Sequence, residues 1–135
     1  MSGYSGTPLS KKLGIKPGSR VKTKRAPSHY DAMLGQLPEN AVVSPRLRSP
    51  VNILHIFSKS RSSLQSEVKN GLLEVQQDGA IWVSWPKKAS GVATDVTEDV
   101  VREIALPLSL VDVKVCAVDD TWSGLKLVIR KSQRK

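Results

Sequence analysis

The second half of the chain alternates between two hydrophobic periods, and these divide it into strands and helices. Residues 51–57, VNILHIF, form a dense apolar run broken only by Asn52 and His55, which predicts a strand. From Ser62 or Ser63 to Gln76, the residues Leu64, Val68, Leu72 and Val75 recur three or four apart. That spacing predicts a helix with one apolar stripe, ended by a turn at Asp78-Gly79. Residues 80–85, AIWVSW, read as the next strand. Pro86 closes it because proline has no N–H to give to a ladder. Trp82 and Trp85 are three apart, so they face opposite sides of that strand.

A second helix follows the loop KKASGVATD, with Val100, Val101, Ile104 and Ala105 as its buried face. Asp95 and Glu98 have capping-box spacing, Thr94 and Thr97 are rival caps, and Pro107 halts or kinks the helix. Residues 110–118 and 125–130 alternate as half-buried strands do, on either side of a turn at Asp119, Asp120, Ser123 and Gly124.

The first half is sparser. Thr7 and Pro8 open a short helix sharing Leu9 and Leu13 on one face, Gly14 ends it, and Pro17-Gly18 turns into a strand over 20–25. Val21 is the only strong apolar residue of that strand, so either the alkyl stems of Lys22 and Lys24 cover it or it is poorly buried. One or two helical turns over 28–37 present Tyr30, Met33, Leu34 and Leu37, with Ser28 as cap, and residues 41–44 read as a short strand.

Strands separated by helices favour parallel pairing with right-handed crossovers. The last two strands are too closely joined for a crossover and pair antiparallel. The expected fold is one small Rossmann-like three-layer α/β domain over residues 1–135, its mostly parallel sheet ending in an antiparallel pair. The short helix and basic strand occupy 1–50 and the sheet–helix core 51–131.

Composition refines this picture. The 135 residues are 39% apolar and carry a net charge of +9, of which +7 lies in residues 1–50. Such a field draws polyanions, nucleic acid included. The basic residues Lys11, Lys12, Lys22, Lys24 and Arg25 are the candidates for a nucleic-acid surface. The single cysteine, Cys116, excludes an internal disulfide and reads as a buried thiol. The opening residues contain no apolar signal region, Gly3 does not follow the initiator directly, and no run is long enough to span a bilayer. The expectation is a cytoplasmic protein with no membrane partner and an open oligomeric state.

Residues 82–99, WVSWPKKASGVATDVTED, hold the richest candidate chemistry. They lie at the carboxyl end of a strand and open a helix, where open α/β sheets place ligands. Lys87, Lys88, Ser90, Gly91, Thr94 and Asp95, with Asp119 and Trp122 from the later turn, form a candidate site for a small anion or a protein partner. The simpler reading is a solvated loop whose acids cap a helix. Trp122 either folds back as a lid or offers a contact surface. An enzyme would have to combine Asp95, Asp119 or Asp120 with the basic loop. No zinc ligand set, nucleophile elbow or phosphate loop is present in the sequence, so no catalytic residue, metal or cofactor is assigned.

Four segments carry a resemblance: GYSGTPLSKKLGIKPG at 3–18, WVSWPKK at 82–88, SGVATDVTEDVVREIALPL at 90–108 and LVDVKVCAVDDTWSGLKLVIRK at 110–131. With these the chain resembles a bacterial family catalogued as domain of unknown function 3052, which implies no activity. More distantly, Pro17-Gly18 before the first strand and the final antiparallel pair resemble class I methyltransferases. That resemblance implies a methyl donor, S-adenosylmethionine, held by a glycine-rich turn after strand one and an acid after strand two. Here Arg25, Ala26, Pro27 and Ser28 stand at the first place, and Ser44, Pro45 and Arg46 at the second. The resemblance thus implies a reduced scaffold without the donor site and favours a non-enzymatic binding domain. The alternatives are a small enzyme or degenerate S-adenosylmethionine-dependent methyltransferase, and a basic nucleic-acid-binding domain.

Overall fold

Six strands form one sheet in the computed structural model, which describes residues 7–135. In chain order the elements are α1 (Leu9–Leu13), β1 (Arg20–Lys24), α2 (Tyr30–Leu34), β2 (Val42–Ser44), β3 (Val51–Phe57), α3 (Arg61–Gly71), β4 (Val75–Pro86), α4 (Glu98–Ala105), β5 (Leu110–Ala117) and β6 (Trp122–Ile129). The strand order is β2-β1-β3-β4-β6-β5. The first four strands are mutually parallel, and β6 runs antiparallel to both β4 and β5. This is the expected α/β sheet ending in an antiparallel pair. The segment GYSG at 3–6 lies outside the described residues.

Two apolar layers sandwich the sheet. On one face Leu64 and Val68 of α3 and Val101 and Ile104 of α4 pack on Leu54, Ile56, Ile81, Val83 and Leu125. On the other, Leu9 and Leu13 of α1 and Tyr30, Met33 and Leu34 of α2 pack on Val21, Ile53, Phe57 and Trp82. Trp82 and Trp85 fall in different layers, as a spacing of three on a strand requires. Val21 is fully buried, so the basic strand lies inside the sheet. Among the described residues no helix is long and apolar enough to cross a membrane.

Several boundaries differ from the periodicity. The α3 helix stops at Gly71, where a Cβ would lie 2.6 Å from Leu54 Cδ2. Leu72 caps it and Val75 already belongs to β4, so those two residues extend the spacing but not the helix. Asp78-Gly79 lies within β4, beside a register shift against β3, and makes no turn. A Cβ on Gly79 would come 2.7 Å from the Asn52 backbone oxygen, so the bare backbone permits this close strand approach. Thr97 alone caps α4, accepting from Val100 N at 3.2 Å. The capping residue of α1 is Pro8, and that of α2 is His29. At the sheet edge, Val113 and Val115 of β5 are about half exposed, so this strand is less buried than its alternation suggests. Trp122 is the first residue of β6, not part of a free turn.

Candidate functional site

The chain leaves β1 toward β2 on one side and leaves β3 toward β4 on the other. Between the carboxyl ends of β1 and β3, connections therefore diverge and open a crevice, the usual ligand position in open α/β sheets. A cleft of about 540 Å³ occupies this place. Its floor and walls are Pro27, Phe57 and Trp122, and its rim holds Arg25, Lys59 and the hydroxyl residues Ser58, Ser60 and Ser63.

Each wall has a local cause. Phe57 ends the apolar run of β3 and is fixed by its neighbours: its ring stacks on His55 at 4.3 Å and meets Tyr30 edge-on at 5.6 Å. Trp122 lies edge-on to Phe57 at 5.0 Å. It reaches the cleft because β6 pairs with β4 so that Trp122 faces Pro86, at the same edge of the sheet. Asp119 sets the approach to that strand: its Oδ1 accepts from Thr121 N at 2.9 Å and Trp122 N at 2.7 Å. Its Oδ2 lies 3.1 Å from His29 Nε2.

Behind the cleft a polar chain crosses the core. The Tyr30 hydroxyl lies 2.8 Å from His55 Nδ1, and His55 Nε2 lies 2.7 Å from Ser84 Oγ. Both ring nitrogens are satisfied in a dry site, so the imidazole is held neutral, its pKa pushed down to about 3 by burial. Burial and then the nearby Asp31 push the Tyr30 hydroxyl upward.

Arg25 borders the crevice. It has a left-handed backbone, φ 58°, directly after β1. Its Nε donates to the Phe57 carbonyl at 3.0 Å, and its two terminal nitrogens clasp the Glu67 carboxylate of α3. Arg25 also borders a second recess of about 400 Å³ between the ends of β1 and β2, where Ala26, Pro27, Asp31, Ser44 and Pro45 contribute. A third hollow, about 250 Å³, lies at the opposite end of the strands, beside Asn52 and Gly79. Asn52 Oδ1 there already accepts from Arg20 N at 2.7 Å.

Of the residues singled out in the sequence, Trp122 lines the cleft and Asp119 shapes its approach. Lys87 is held beside the turn, its N–H donating to Thr121 O at 2.7 Å. Lys88 and Ser90 form a short 3₁₀ turn ended by left-handed Gly91, and Ser90 Oγ donates to Lys87 O at 2.6 Å. Thr94 and Asp95 brace the loop after β3: Thr94 Oγ1 donates to Lys59 O at 2.8 Å, and Asp95 Oδ1 accepts from Arg61 N at 2.7 Å. Asp95 thus serves the start of α3, not of α4. None of Lys87, Lys88, Ser90, Gly91, Thr94 and Asp95 lines the cleft.

Four of the five basic residues considered for nucleic acid are already engaged. Lys12 is buried, its Nζ donating to Ala117 O at 2.8 Å. Lys22 and Lys24 both pair with Glu74, and Arg25 pairs with Glu67. Lys11 and Arg25 are exposed, and Lys22 and Lys24 are half-buried. Among the described residues no group of three or more His, Cys, Asp or Glu side chains is placed to hold a metal ion.

The residues missed in the sequence are Phe57, Ser58, Lys59, Ser60 and Ser63. The signal was the word SKS directly after the strongest strand, but its value depends on β1 lying beside β3.

No family model and no curated protein sequence matches the chain. Solved structures do. The fibrillarin of Aeropyrum pernix, in complex with natively bound S-adenosyl-L-methionine, is 12% identical with a TM-score of 0.61 over 89% of this chain and 73% of that one. The fold is shared with that of methyltransferase structures. A Methanococcus jannaschii fibrillarin, a pre-rRNA processing protein, is 11% identical with a TM-score of 0.63, covering 91% and 74% of the two chains. A SAM-dependent O-methyltransferase from Thermotoga maritima is 8% identical with a TM-score of 0.59, covering 91% and 64%. At these identities the likeness is one of fold.

Proposed function

We propose that this chain is a non-enzymatic, cytoplasmic binding domain that takes a small molecule in the cleft between β1 and β3. The four sequence segments support placing it with the domain of unknown function 3052 proteins. The observation that carries the reading is that cleft, of a size typical of small-ligand sites and combining rigid aromatic walls with a polar rim.

The residues on the methyl-donor side do not fit that cofactor. A donor nucleotide approaches the backbone closely after the first strand, which is why glycines suit the position. Here Arg25, Ala26 and Pro27 bring side chains, Pro27 has no N–H to offer, and the Arg25 guanidinium crosses from β1 to α3. The acid that would follow β2 is replaced by Ser44-Pro45; the carboxylate bordering this recess is Asp31 of α2. No transfer step is therefore derived.

Calorimetric titration of the folded chain with S-adenosylhomocysteine tests the reading. The expected result is no saturable heat. One-to-one binding at micromolar affinity would overturn it in favour of a degenerate methyltransferase and direct the search to a methyl acceptor.

A further inference from the structure

We infer that the cleft between β1 and β3 binds a compact aryl anion: one planar ring carrying a phosphate or a carboxylate. This rests on the binding-domain reading and adds the chemistry of the ligand.

The ring follows from the walls. Phe57 is almost fully buried and held by His55 and Tyr30, so it backs the cleft and braces Trp122, whose ring it meets edge-on and which presents the accessible aromatic face. Trp122 is half-buried, and the two N–H groups bound by Asp119 fix its backbone before any ligand arrives. Preset aromatic surfaces favour a flat partner because little freedom is lost on binding.

The anion follows from the rim. Arg25 is answered by Glu67, but Lys59 is exposed and makes no ion pair among the described residues. A lysine outside any ion pair among the described residues thus lines the cleft together with Ser60, Ser63 and Trp122. The start of α3 adds little, because Asp95 already takes Arg61 N and Ser60 Oγ takes Ser63 N at 3.4 Å. The net charge of +9 draws anions toward the surface. The limit on length follows from Arg25 and Pro27, which border both this cleft and the recess beside β2.

Amide-resolved NMR titration of the full chain tests this with four probes: phenyl phosphate, benzoate, benzyl alcohol and inorganic phosphate. Saturable shifts are expected at the Trp122 indole N–H and at the Ser58, Lys59 and Ser60 amides. One ring-bearing anion should bind at least about fivefold more tightly than benzyl alcohol or inorganic phosphate. Which anion wins separates phosphate esters from carboxylic acids. Lys59→Ala should remove most of the advantage and Lys59→Arg should keep it; Lys59 is exposed, so the fold is preserved in both variants. Benzyl alcohol binding as tightly as the anions at these amides would overturn the anion and leave the binding-domain reading standing. An unchanged spectrum with all four probes would overturn the inference. Saturable binding of S-adenosylhomocysteine in the calorimetric experiment would overturn the underlying reading instead.

Discussion

His55 shows how much one buried residue can impose. It sits fully enclosed on β3 with a hydroxyl at each ring nitrogen, and the titratable one of these two partners is Tyr30. Burial lowers its folded pKa to about 3, against 6.5 when unfolded. Between those values the unfolded chain binds the extra proton, so stability rises with pH there. The contribution of His55 is complete above about pH 6.5 and is lost as pH falls toward 3. Urea unfolding at pH 7, 6 and 5 should show this loss, approaching about 1.4 kcal/mol per unit. A His55→Gln variant should be less stable at pH 7 but flatter across the same range; an equally steep slope would assign the effect elsewhere. Tyr30→Phe leaves the Nδ1 side of His55 unpaired in a dry site. It should cost about 1–3 kcal/mol by the same measurement.

At the scale of elements, two local devices set where segments begin and how closely they approach. Thr97 is the side chain that satisfies the first turn of α4, since Asp95 serves α3. Thr97→Ala should destabilise the chain by about 1 kcal/mol in urea unfolding, while Asp95→Ala should loosen the loop after β3 instead. Gly79 is required by contact, not by a left-handed backbone. Its absent Cβ leaves room for the Asn52 carbonyl, so Gly79→Ala forces β3 and β4 apart and should cost about 1–3 kcal/mol. Its amides should shift along both strands in an NMR spectrum, and shifts limited to the mutated residue would contradict the account.

Across the whole molecule, part of the net charge of +9 is engaged by pairing: Lys22 and Lys24 meet Glu74, and Arg25 meets Glu67. Oligonucleotide binding should therefore be weak and lost between about 50 and 200 mM salt, as expected of non-specific attraction. In fluorescence anisotropy, replacing Lys22 or Lys24 with alanine should change the affinity less than about twofold, since both are already engaged by Glu74. A large loss specific to either would favour a nucleic-acid role. The sheet's exposed margins are also blunted: β2 has three residues, and β5 carries a register shift between Asp112 and Lys114. Both features discourage edge-to-edge pairing.

The sequence by itself determined the elements and the class of sheet, because hydrophobic period and turn chemistry are local. The run Val51–Phe57, the stripe of Leu64 and Val68, and the short link through Trp122 required no knowledge of neighbours. Where tertiary contact competed with period, the local pattern ran too far: Leu72 and Val75 continue the helical spacing although Gly71 packs on Leu54 and ends the helix. The site lay beyond local reading altogether. Only the strand order brings Arg25, Phe57 and Trp122 to one crevice, pairs Arg25 with Glu67, and leaves Lys59 without an ion pair among the described residues. Period records which face of an element is buried, whereas charge pairing and cavity walls depend on which elements become neighbours. Tertiary structure alone decided that.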